Sequence, residues 1–515
     1  MNHALFFSLT GKRWERNVWC HRVATYLRPH GWDVEVIDYT SFWKLEELQE
    51  LVRSRVSNKT VMFVFGTAFL NPWSPYINEF IAWLKDTYPH IPTVLGGHNA
   101  MVTPAEGIDY WVDSYGENAV LALTRHLLGT LGAPLLTDSS FFGSKKVIRG
   151  LHAYPSAPLD SYLLDFEVRD FMLPTDCPQI ETARGCMFSC SYCNFPIIGQ
   201  AQDVSVSKDE FKKQIQTGYD RWGIKNWRFV DETFNDRPEK IRKYAEVIDE
   251  LGYDAWFCGF ARGDLVVKHK EHWDDYIRLG FLGHSMGIET FNKEAGKLVR
   301  KGMDPEKLQE GLLEFQAYTD QHAPRRYRAN IQMICGIPGE TPESWYNSID
   351  WLNTNWTRQS ASAHILEVPD FDESTTNQSR FTRELKSNGL IKLEAKQNPG
   401  YIVFKDANGD VIFQSTTPQG GGVGSTRNDI VVWQHRTMDW HQAESLVKEF
   451  YTSNGFKGRV GGNPFLSDRL FPLQNTNNYE DVYDINISDV DTADQRYKDL
   501  VQTYIDNKLN WIKNV

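Results

Sequence analysis

The chain has 515 residues, 41% of them hydrophobic and 24% charged, which is enough material for about three globular domains. Its 55 basic and 67 acidic residues leave a net charge of −12, which argues against broad charge-driven binding to nucleic acid or to an anionic membrane. The first residues lack a secretory signal, no apolar run approaches the roughly 20 residues of a membrane span, and seven cysteines do not suit a disulfide framework. A cytoplasmic protein is therefore expected.

Residues 1–131 alternate short apolar runs with amphipathic stretches. The predicted strands cover residues 4–9, 33–38, 60–65 and 92–95. The predicted helices cover residues 18–27, 45–56, 75–87 and 118–128. This alternation predicts a parallel, doubly wound sheet, whose ligands bind at the carboxyl ends of the strands. The chain places Thr67, Gly96 and Gly97 at those ends.

Residues 132–178 have weak periodicity and recurrent prolines, which predicts a linker. A second alternating series follows in residues 179–370. Its predicted strands are 179–183, 226–230, 255–260, 283–287, 329–335 and 362–368. Its predicted helices are 208–219, 238–251, 271–279, 305–317 and 342–351. Six strand–helix units predict a complete or partial parallel barrel with its chemistry at the carboxyl ends of the strands.

Residues 371–515 have a different character, which predicts a C-terminal α+β region. Asn408-Gly409 lies between β-rich runs and predicts a hairpin, and residues 440–451 predict a helix. The glycine run 420–424 and the segment 433–441 form a candidate lid over the barrel mouth, with an ordinary connecting loop as the alternative.

Cys186, Cys190 and Cys193 are the sharpest signal in the sequence, because the spacing CxxxCxxC can turn three thiolates toward one centre. Soft thiolates suit iron–sulfur clusters or zinc. A structural zinc site would require a fourth ligand nearby, and none is present in the surrounding sequence. Three thiolates on a four-iron cluster would leave one iron open for a substrate or cofactor. Three core or zinc cysteines that share this spacing by chance are the alternative.

CxxxCxxC after the first strand of a predicted βα barrel, with Tyr192 before the last cysteine, resembles the radical S-adenosylmethionine (SAM) superfamily. The resemblance implies a 4Fe–4S cluster on the three cysteines, and SAM bound through its amino and carboxylate groups to the open iron. It further implies reductive cleavage of SAM to methionine and a 5′-deoxyadenosyl radical that abstracts hydrogen from the substrate. A flavodoxin- or ferredoxin-type electron donor follows from the same chemistry.

Further segments match the family in chain order, and the resemblance implies a role for each. Asp231 or Glu232 would receive the ammonium of SAM, Arg262 would pair with its carboxylate, and Glu289 would point into the barrel. Tyr192, Gly336 and Pro338 would lie against the adenine. Capping residues, a surface ion pair and ordinary turns are the alternatives at these positions.

The segment from residue 94 to 118, with Gly96-Gly97 and Gly116-Glu117, resembles the cobalamin-binding domain that precedes the barrel in one large radical SAM subclass. The DxHxxG motif that supplies a histidine to cobalt in other cobalamin proteins is absent, and His98 stands elsewhere. The sequence therefore leaves open whether the domain binds cobalamin or is a scaffold.

The predicted architecture is α/β: a Rossmann-like sheet of the cobalamin-binding type, a partial (βα)6 TIM-type radical SAM barrel, and a C-terminal α+β region. The predicted function is cobalamin-dependent methylation of an unactivated carbon in a small molecule, a peptide or a nucleobase. The alternatives are a cobalamin-independent radical isomerase, rearrangement enzyme or cyclase that acts on a modified nucleoside or natural product, and a structural or redox-sensing iron–sulfur protein.

Overall fold

A computed structural model describes most of the chain. The described residues are 1–9, 16, 18–67, 75–97, 105–113, 115–137, 146–149, 153–161, 163–174, 176–193, 204–324, 326–357, 359–366, 368, 389–397, 401–405, 411–416, 429–452, 454–457 and 487–514. His98, the glycine run 420–424 and the Asn408-Gly409 pair lie outside them. In this part of the chain, no helix is long and apolar enough to cross a membrane.

The first sheet has six parallel strands in the order β2-β1-β3-β4-β5-β6. The strands are β1 (Asn2–Ser8), β2 (Trp32–Ile37), β3 (Thr60–Gly66), β4 (Thr93–Gly97), β5 (Tyr110–Asp113) and β6 (Val147–Arg149). The helices are α1 (Val18–Leu27), α2 (Leu45–Arg55), α3 (Pro75–Thr87) and α4 (Glu117–Leu127). Separate apolar cores fill the two faces, because the buried side chains of β1 alternate between them. The predicted doubly wound sheet is confirmed.

The region predicted as a linker contributes a strand to this sheet. β6 pairs with β5, so the sheet extends further than the sequence indicated. Both strands are short, and a run of three or four residues does not show a strand period by itself.

The second sheet has six parallel strands in the order β14-β13-β12-β11-β10-β7. The strands of this region are β7 (Gln179–Ile180), β8 (Ala183–Arg184), β9 (Val204–Ser205), β10 (Asn226–Phe229), β11 (Trp256–Ala261), β12 (Phe281–Glu289), β13 (Arg328–Cys335) and β14 (Ser360–Ile365). The helices are α5 (Lys208–Trp222), α6 (Pro238–Leu251), α7 (Gly263–Lys268), α8 (Trp273–Leu279), α9 (Lys293–Leu298), α10 (Pro305–His322) and α11 (Pro342–Asn355). β8 and β9 form a separate antiparallel pair. The six predicted barrel strands are all present.

In its described residues, the C-terminal region combines antiparallel strands with two helices. Its elements are β15 (Ile391–Gln397), β16 (Tyr401–Lys405), β17 (Val411–Thr416), β18 (Asp429–His435), β19 (Met438–Asp439), α12 (Trp440–Phe450) and α13 (Ile487–Asn514). β16 and β17 pair antiparallel, as the hairpin prediction requires. Trp433 and Trp440 are buried in the barrel core, so segment 433–441 is a packed element rather than the candidate lid.

The helix α13 was not predicted, and it packs on the first sheet. Lys508 lies fully buried, with its Nζ 2.8 Å from Glu35 Oε1 and donating to the Arg169 carbonyl at 2.7 Å. The backbone N–H of Asp38 donates to the Tyr504 hydroxyl at 2.9 Å. The C-terminal helix therefore joins the start of the chain through buried polar contacts.

Candidate functional site

The three cysteines lie in the loop that follows β8. Gly185 precedes them with φ at +91°, a left-handed conformation that favours glycine, and its N–H donates to Glu232 Oε2 at 3.1 Å. Cys186, Cys190 and Cys193 are all reduced and half-buried. The loop thus presents three accessible thiols beside the carboxyl end of β10.

Two side chains of the barrel contact these sulfur atoms. Thr233 Oγ1 is 3.6 Å from Cys186 Sγ, and Arg262 Nη1 donates to Cys190 Sγ at 3.2 Å. Burial raises the pKa of the Cys186 thiol, while a guanidinium beside a sulfur favours the thiolate form that binds metal. The donor set therefore fits a thiolate-bound iron cluster.

The distances between possible metal-binding side chains can be compared with the needs of a single zinc ion and of a four-iron cluster. In the described ranges, no three His, Cys, Asp or Glu side chains converge closely enough to hold a single metal ion. A tetrahedral zinc site needs such convergence. A four-iron cluster does not, because each thiolate binds a different iron atom.

Arg262 sits between the cysteine loop and α7. Its guanidinium donates to both oxygens of Asp264, at 3.0 Å and 2.6 Å, and lies 4.1 Å from the ring centroid of Phe188. The predicted partner of a SAM carboxylate is therefore held in place by a bidentate ion pair and an aromatic ring, next to Cys190.

Asp231 and Glu232 follow β10 but have different surroundings. Asp231 Oδ1 accepts from the N–H groups of Thr182 and Ala183, at 2.7 and 3.1 Å, and Oδ2 accepts from the Thr182 hydroxyl at 2.5 Å. Burial raises the pKa of Asp231 to about 6, against the lowering effect of Lys240. Both Asp231 oxygens thus accept hydrogen bonds from Thr182 and Ala183, where the chain enters β8. Burial also raises the pKa of Glu232 well above its usual range.

Glu289 ends β12 in a left-handed conformation, with φ at +72°, where the pairing with β13 shifts register. The Tyr192 hydroxyl donates to Glu289 Oε1 at 2.7 Å, and Lys301 Nζ lies 3.2 Å from the same oxygen. Lys301 Nζ also donates to the Gly287 carbonyl at 2.5 Å. These contacts connect the cysteine loop with the carboxyl end of β12.

The chain just after α9 contacts the same loop at further points. The Ser191 hydroxyl donates to the Leu298 carbonyl at 2.7 Å, and Arg300 Nη1 donates to the Ser189 hydroxyl at 2.8 Å. Arg300 has φ at +62°, an uncommon conformation for a residue with a side chain. Residues 298–301 therefore hold the cysteine loop through its non-cysteine side chains.

The loop after β13 contains Gly336 and Pro338, the predicted adenine contacts. Gly336 has φ at +92°, and a Cβ added there would lie 2.2 Å from the Trp433 ring. Its N–H donates to Glu340 Oε2 at 2.9 Å, and the Thr290 hydroxyl donates to Glu340 Oε1 at 2.8 Å. Burial raises the pKa of Glu340 to about 8.

Polar side chains of β13 and β14 face away from the apolar core. Strand alternation places Gln332 and His364 on this face, while their neighbours in sequence pack into the core. Gln332 Nε2 donates to the Ser285 hydroxyl at 3.0 Å. His364 Nδ1 has no hydrogen-bond partner among the described residues, and burial lowers the pKa of His364 to about 4. The barrel interior thus offers neutral hydrogen-bonding groups.

Thr67, Gly96 and Gly97 meet at the carboxyl edge of the first sheet. The Thr67 hydroxyl donates to the Gly96 carbonyl at 3.1 Å, and a Cβ at Gly97, where φ is +115°, would lie 2.5 Å from the Thr67 carbonyl oxygen. The predicted residues are therefore in contact with one another.

Glycines on this edge create a cradle, defined by Gly66, Gly96 and Gly116. A Cβ at Gly96 would lie 2.1 Å from the Trp19 ring, and a Cβ at Gly116 would lie 2.5 Å from it. At Gly66 a Cβ would lie 2.1 Å from Cys20 Sγ and 3.1 Å from the Trp19 ring. The cradle fits a flat fused ring, and the indole of Trp19 occupies it.

The two sheets meet beside the cysteine loop. The Tyr115 hydroxyl donates to Glu232 Oε1 at 3.4 Å, and the Arg184 guanidinium lies 4.1 Å from the Tyr115 ring centroid. Arg184 also pairs with Glu117 of α4 and with Glu181, at 2.5 and 2.7 Å. Buried ion pairs therefore join the carboxyl edge of the first sheet to the start of the loop that carries the cysteines.

Residues 180–352 match the model of the Radical SAM superfamily. This part of the chain is a radical SAM domain, which implies a 4Fe–4S cluster and SAM. A six-stranded parallel sheet precedes this domain in the chain.

Three known proteins are similar to this chain. The methyltransferase TsrM from Kitasatospora setae, solved with cobalamin and a [4Fe-4S] cluster, has a TM-score of 0.61 at 15% identity, covering 97% of this chain and 100% of TsrM. The cobalamin-dependent SAM radical enzyme OxsB has a TM-score of 0.55 at 16% identity, covering 75% of this chain and 56% of OxsB.

The hopanoid C-3 methylase of Methylococcus capsulatus is 22% identical over 306 residues, which are 56% of each chain. The chain thus spans little more than half the length of this curated relative and of OxsB. At these identities the structural likenesses show the fold.

Sequence reasoning missed the contacts that connect distant parts of the chain. Arg184 stands two residues before Cys186, and Lys301 follows another basic residue, Arg300, but nothing local indicates the partners of Arg184 and Lys301. Trp19 is one of 17 tryptophans, and nothing in the sequence distinguishes it from the others. His364 lies on a predicted strand, and the strand pattern by itself indicates no role for this side chain.

Proposed function

We propose that the chain cleaves SAM reductively and methylates an unactivated carbon of a small polar molecule, with a corrinoid bound at the carboxyl edge of its first sheet. The observation that carries this proposal is the junction at Tyr115, Glu232 and Gly185, which brings that edge against the cysteine loop. Transfer between two cofactors requires such proximity, because reacting groups must be held in near-contact geometry.

Cys186, Cys190 and Cys193 are the proposed cluster ligands. When bound, the cluster supplies the electron that splits SAM, and a corrinoid supplies a carrier for the methyl group. The guanidinium of Arg262 donates to the sulfur of Cys190 and packs on the ring of Phe188. An external flavodoxin- or ferredoxin-type protein is the proposed electron donor.

The residues around the loop supply the proposed SAM site. Arg262 offers a fixed positive charge for the SAM carboxylate, and the Tyr192 hydroxyl connects the cysteine loop to Glu289. Asp231 is fully buried and accepts three hydrogen bonds from Thr182 and Ala183, whereas Glu232 is partly exposed, so we assign the SAM ammonium to Glu232 and a positioning role to Asp231. Gly336 and Pro338 remain the proposed adenine contacts.

The interior of the barrel supports a substrate with hydrogen-bonding groups. Gln332 and His364 present uncharged polar atoms there, and the low pKa of His364 keeps its imidazole neutral at physiological pH. A neutral imidazole can donate to or accept from a ligand. A compact heteroaromatic or amide-containing molecule fits this lining better than a hydrocarbon does.

The test is anaerobic reconstitution with iron, sulfide and hydroxocobalamin, followed by desalting. We expect retained cobalamin, a cluster spectrum, and 5′-deoxyadenosine after addition of reductant and SAM. Cys190→Ala should lose the cluster spectrum and SAM cleavage, while Cys177→Ala, which changes a cysteine outside the motif, should keep both. Wild-type protein that makes no 5′-deoxyadenosine would contradict the proposal.

A second candidate is a cobalamin-independent radical rearrangement or cyclisation, which the indole of Trp19 in the glycine cradle favours. The two candidates differ in the fate of the SAM methyl group. With methyl-labelled SAM, a methyltransferase passes the label to its product, whereas a rearrangement enzyme leaves all of it in methionine or, where SAM is regenerated, in SAM.

A further inference from the structure

The glycine cradle at the carboxyl edge of the first sheet is built from three separate elements. Gly66 ends β3, Gly96 lies in β4, and Gly116 precedes α4. At each of them an added Cβ would lie within 3.1 Å of the Trp19 ring. Side chains are therefore absent from three positions that all face one indole.

Trp19 is firmly packed in this place. It lies at the start of α1, only 8% exposed, within the apolar core that α1 and α4 form on one face of the sheet. β1 and β3 are adjacent in the sheet although β2 lies between them in sequence, so the strand order reverses between β1 and β3. Doubly wound sheets bind ligands at the carboxyl ends of the strands beside such a switch point, and Gly66 ends β3 there. The indole thus occupies the inner part of the ligand edge.

The ring system of Trp19 has the shape of one part of cobalamin. Cobalamin carries its cobalt in a broad corrin ring and ends in a nucleotide tail with a benzimidazole base. Indole and benzimidazole are both flat aromatic systems of a fused five- and six-membered ring. A close-packed cradle that needs three glycines for one such ring has no room for a second.

We propose that Trp19 takes the place of a ligand's flat base and excludes the nucleotide tail of cobalamin from the first sheet. The inference rests on the proposed function, since it specifies how the corrinoid is recognised. The chain then binds a corrinoid through its cobalt-bearing ring, and the nucleotide contributes little to affinity.

The test compares two probes on the full-length chain, hydroxocobalamin and diaquacobinamide, which has the cobalt ring but no nucleotide tail. Equilibrium dialysis of wild-type protein should give dissociation constants within about threefold of each other. Trp19→Ala should tighten cobalamin binding at least tenfold while leaving cobinamide binding unchanged. Trp19→Phe, which keeps an aromatic side chain, should give a smaller gain and provides a second variant if the alanine variant folds poorly.

The matched control is Trp111→Phe, because Trp111 is a buried tryptophan on the opposite face of the same sheet. It should leave the ratio of the two dissociation constants unchanged. A wild-type preference for cobalamin of tenfold or more overturns the inference and leaves the proposed function standing. Wild-type protein that binds neither corrinoid overturns this inference and the cobalamin part of the proposed function, even if Trp19→Ala binds cobalamin. Failure of every variant to bind either corrinoid overturns the cobalamin part of the proposed function and this inference with it.

Discussion

The buried carboxyl of Glu340 makes the free energy of unfolding depend on pH, and the size of this effect follows from the pKa of Glu340. Its carboxyl is fully buried, accepts from Thr290 and Gly336, and has its pKa raised by burial from 4.5 to about 8. Because the raised pKa means that the folded state prefers the protonated form, the stabilisation is complete below pH 4.5 and is lost as the pH rises through 8. At about 1.4 kcal/mol per tenfold change in proton affinity, the loss amounts to roughly 4–5 kcal/mol.

Glu340→Gln removes this dependence, since an amide is uncharged at every pH and still offers an acceptor to the Gly336 N–H. Urea unfolding of the variant and of wild type, measured at pH 5, 7 and 9, should show similar stability at pH 5. At pH 9 the variant should be more stable by several kcal/mol. Glu343→Gln changes an exposed glutamate of α11 and should follow wild type. A constant difference between Glu340→Gln and wild type from pH 5 to 9 would refute the reasoning.

Two further predictions concern lysines that each pair with one carboxylate. Lys301→Met leaves Glu289 without its cation, so we expect an altered electron paramagnetic resonance spectrum of the reduced cluster with SAM and a roughly tenfold weaker SAM affinity. Lys301→Arg should restore part of both, and Lys297→Met on the exposed side of α9 should change neither. Lys508→Met removes one of the cations around buried Glu35, which should lower the free energy of unfolding by about 2–4 kcal/mol, measured with urea. An unchanged midpoint would show that α13 does not stabilise the first sheet.

Elements with strong local signals could be predicted from the sequence almost to the residue. α3 and α6 have the predicted bounds, and α6 begins at a proline and ends before Gly252, which caps it in a left-handed conformation. β5 and β6 were not predicted as strands because they are short and gain their stability from pairing. The helix α13 owes its place to contacts with residues more than 300 positions away, which no local pattern contains.

The same distinction between local sequence signals and long-range contacts applies to the candidate site. The cysteine motif is local in sequence, as are the glycines at the strand ends. The partners of Arg184 and Lys301, in contrast, are set by the packing of one sheet against another and of one loop against the next. Trp19 is the clearest case, because only the three-dimensional structure brings its ring to three glycines from different elements.

The junction between the sheets explains why a Rossmann-like domain and a radical SAM barrel act together in one chain. Arg184 pairs with Glu117 of α4, and Glu181 pairs with Arg22 of α1, so two buried ion pairs cross between the first sheet's domain and the barrel. Breaking such a pair costs about 3–5 kcal/mol, so motion of the two domains relative to each other is disfavoured at this point. Since Gly185 and Cys186 follow Arg184 directly, the same contacts set the position of the cysteine loop relative to the first sheet. A ligand on that sheet therefore meets the cluster site at a separation defined by buried ion pairs rather than by a flexible linker.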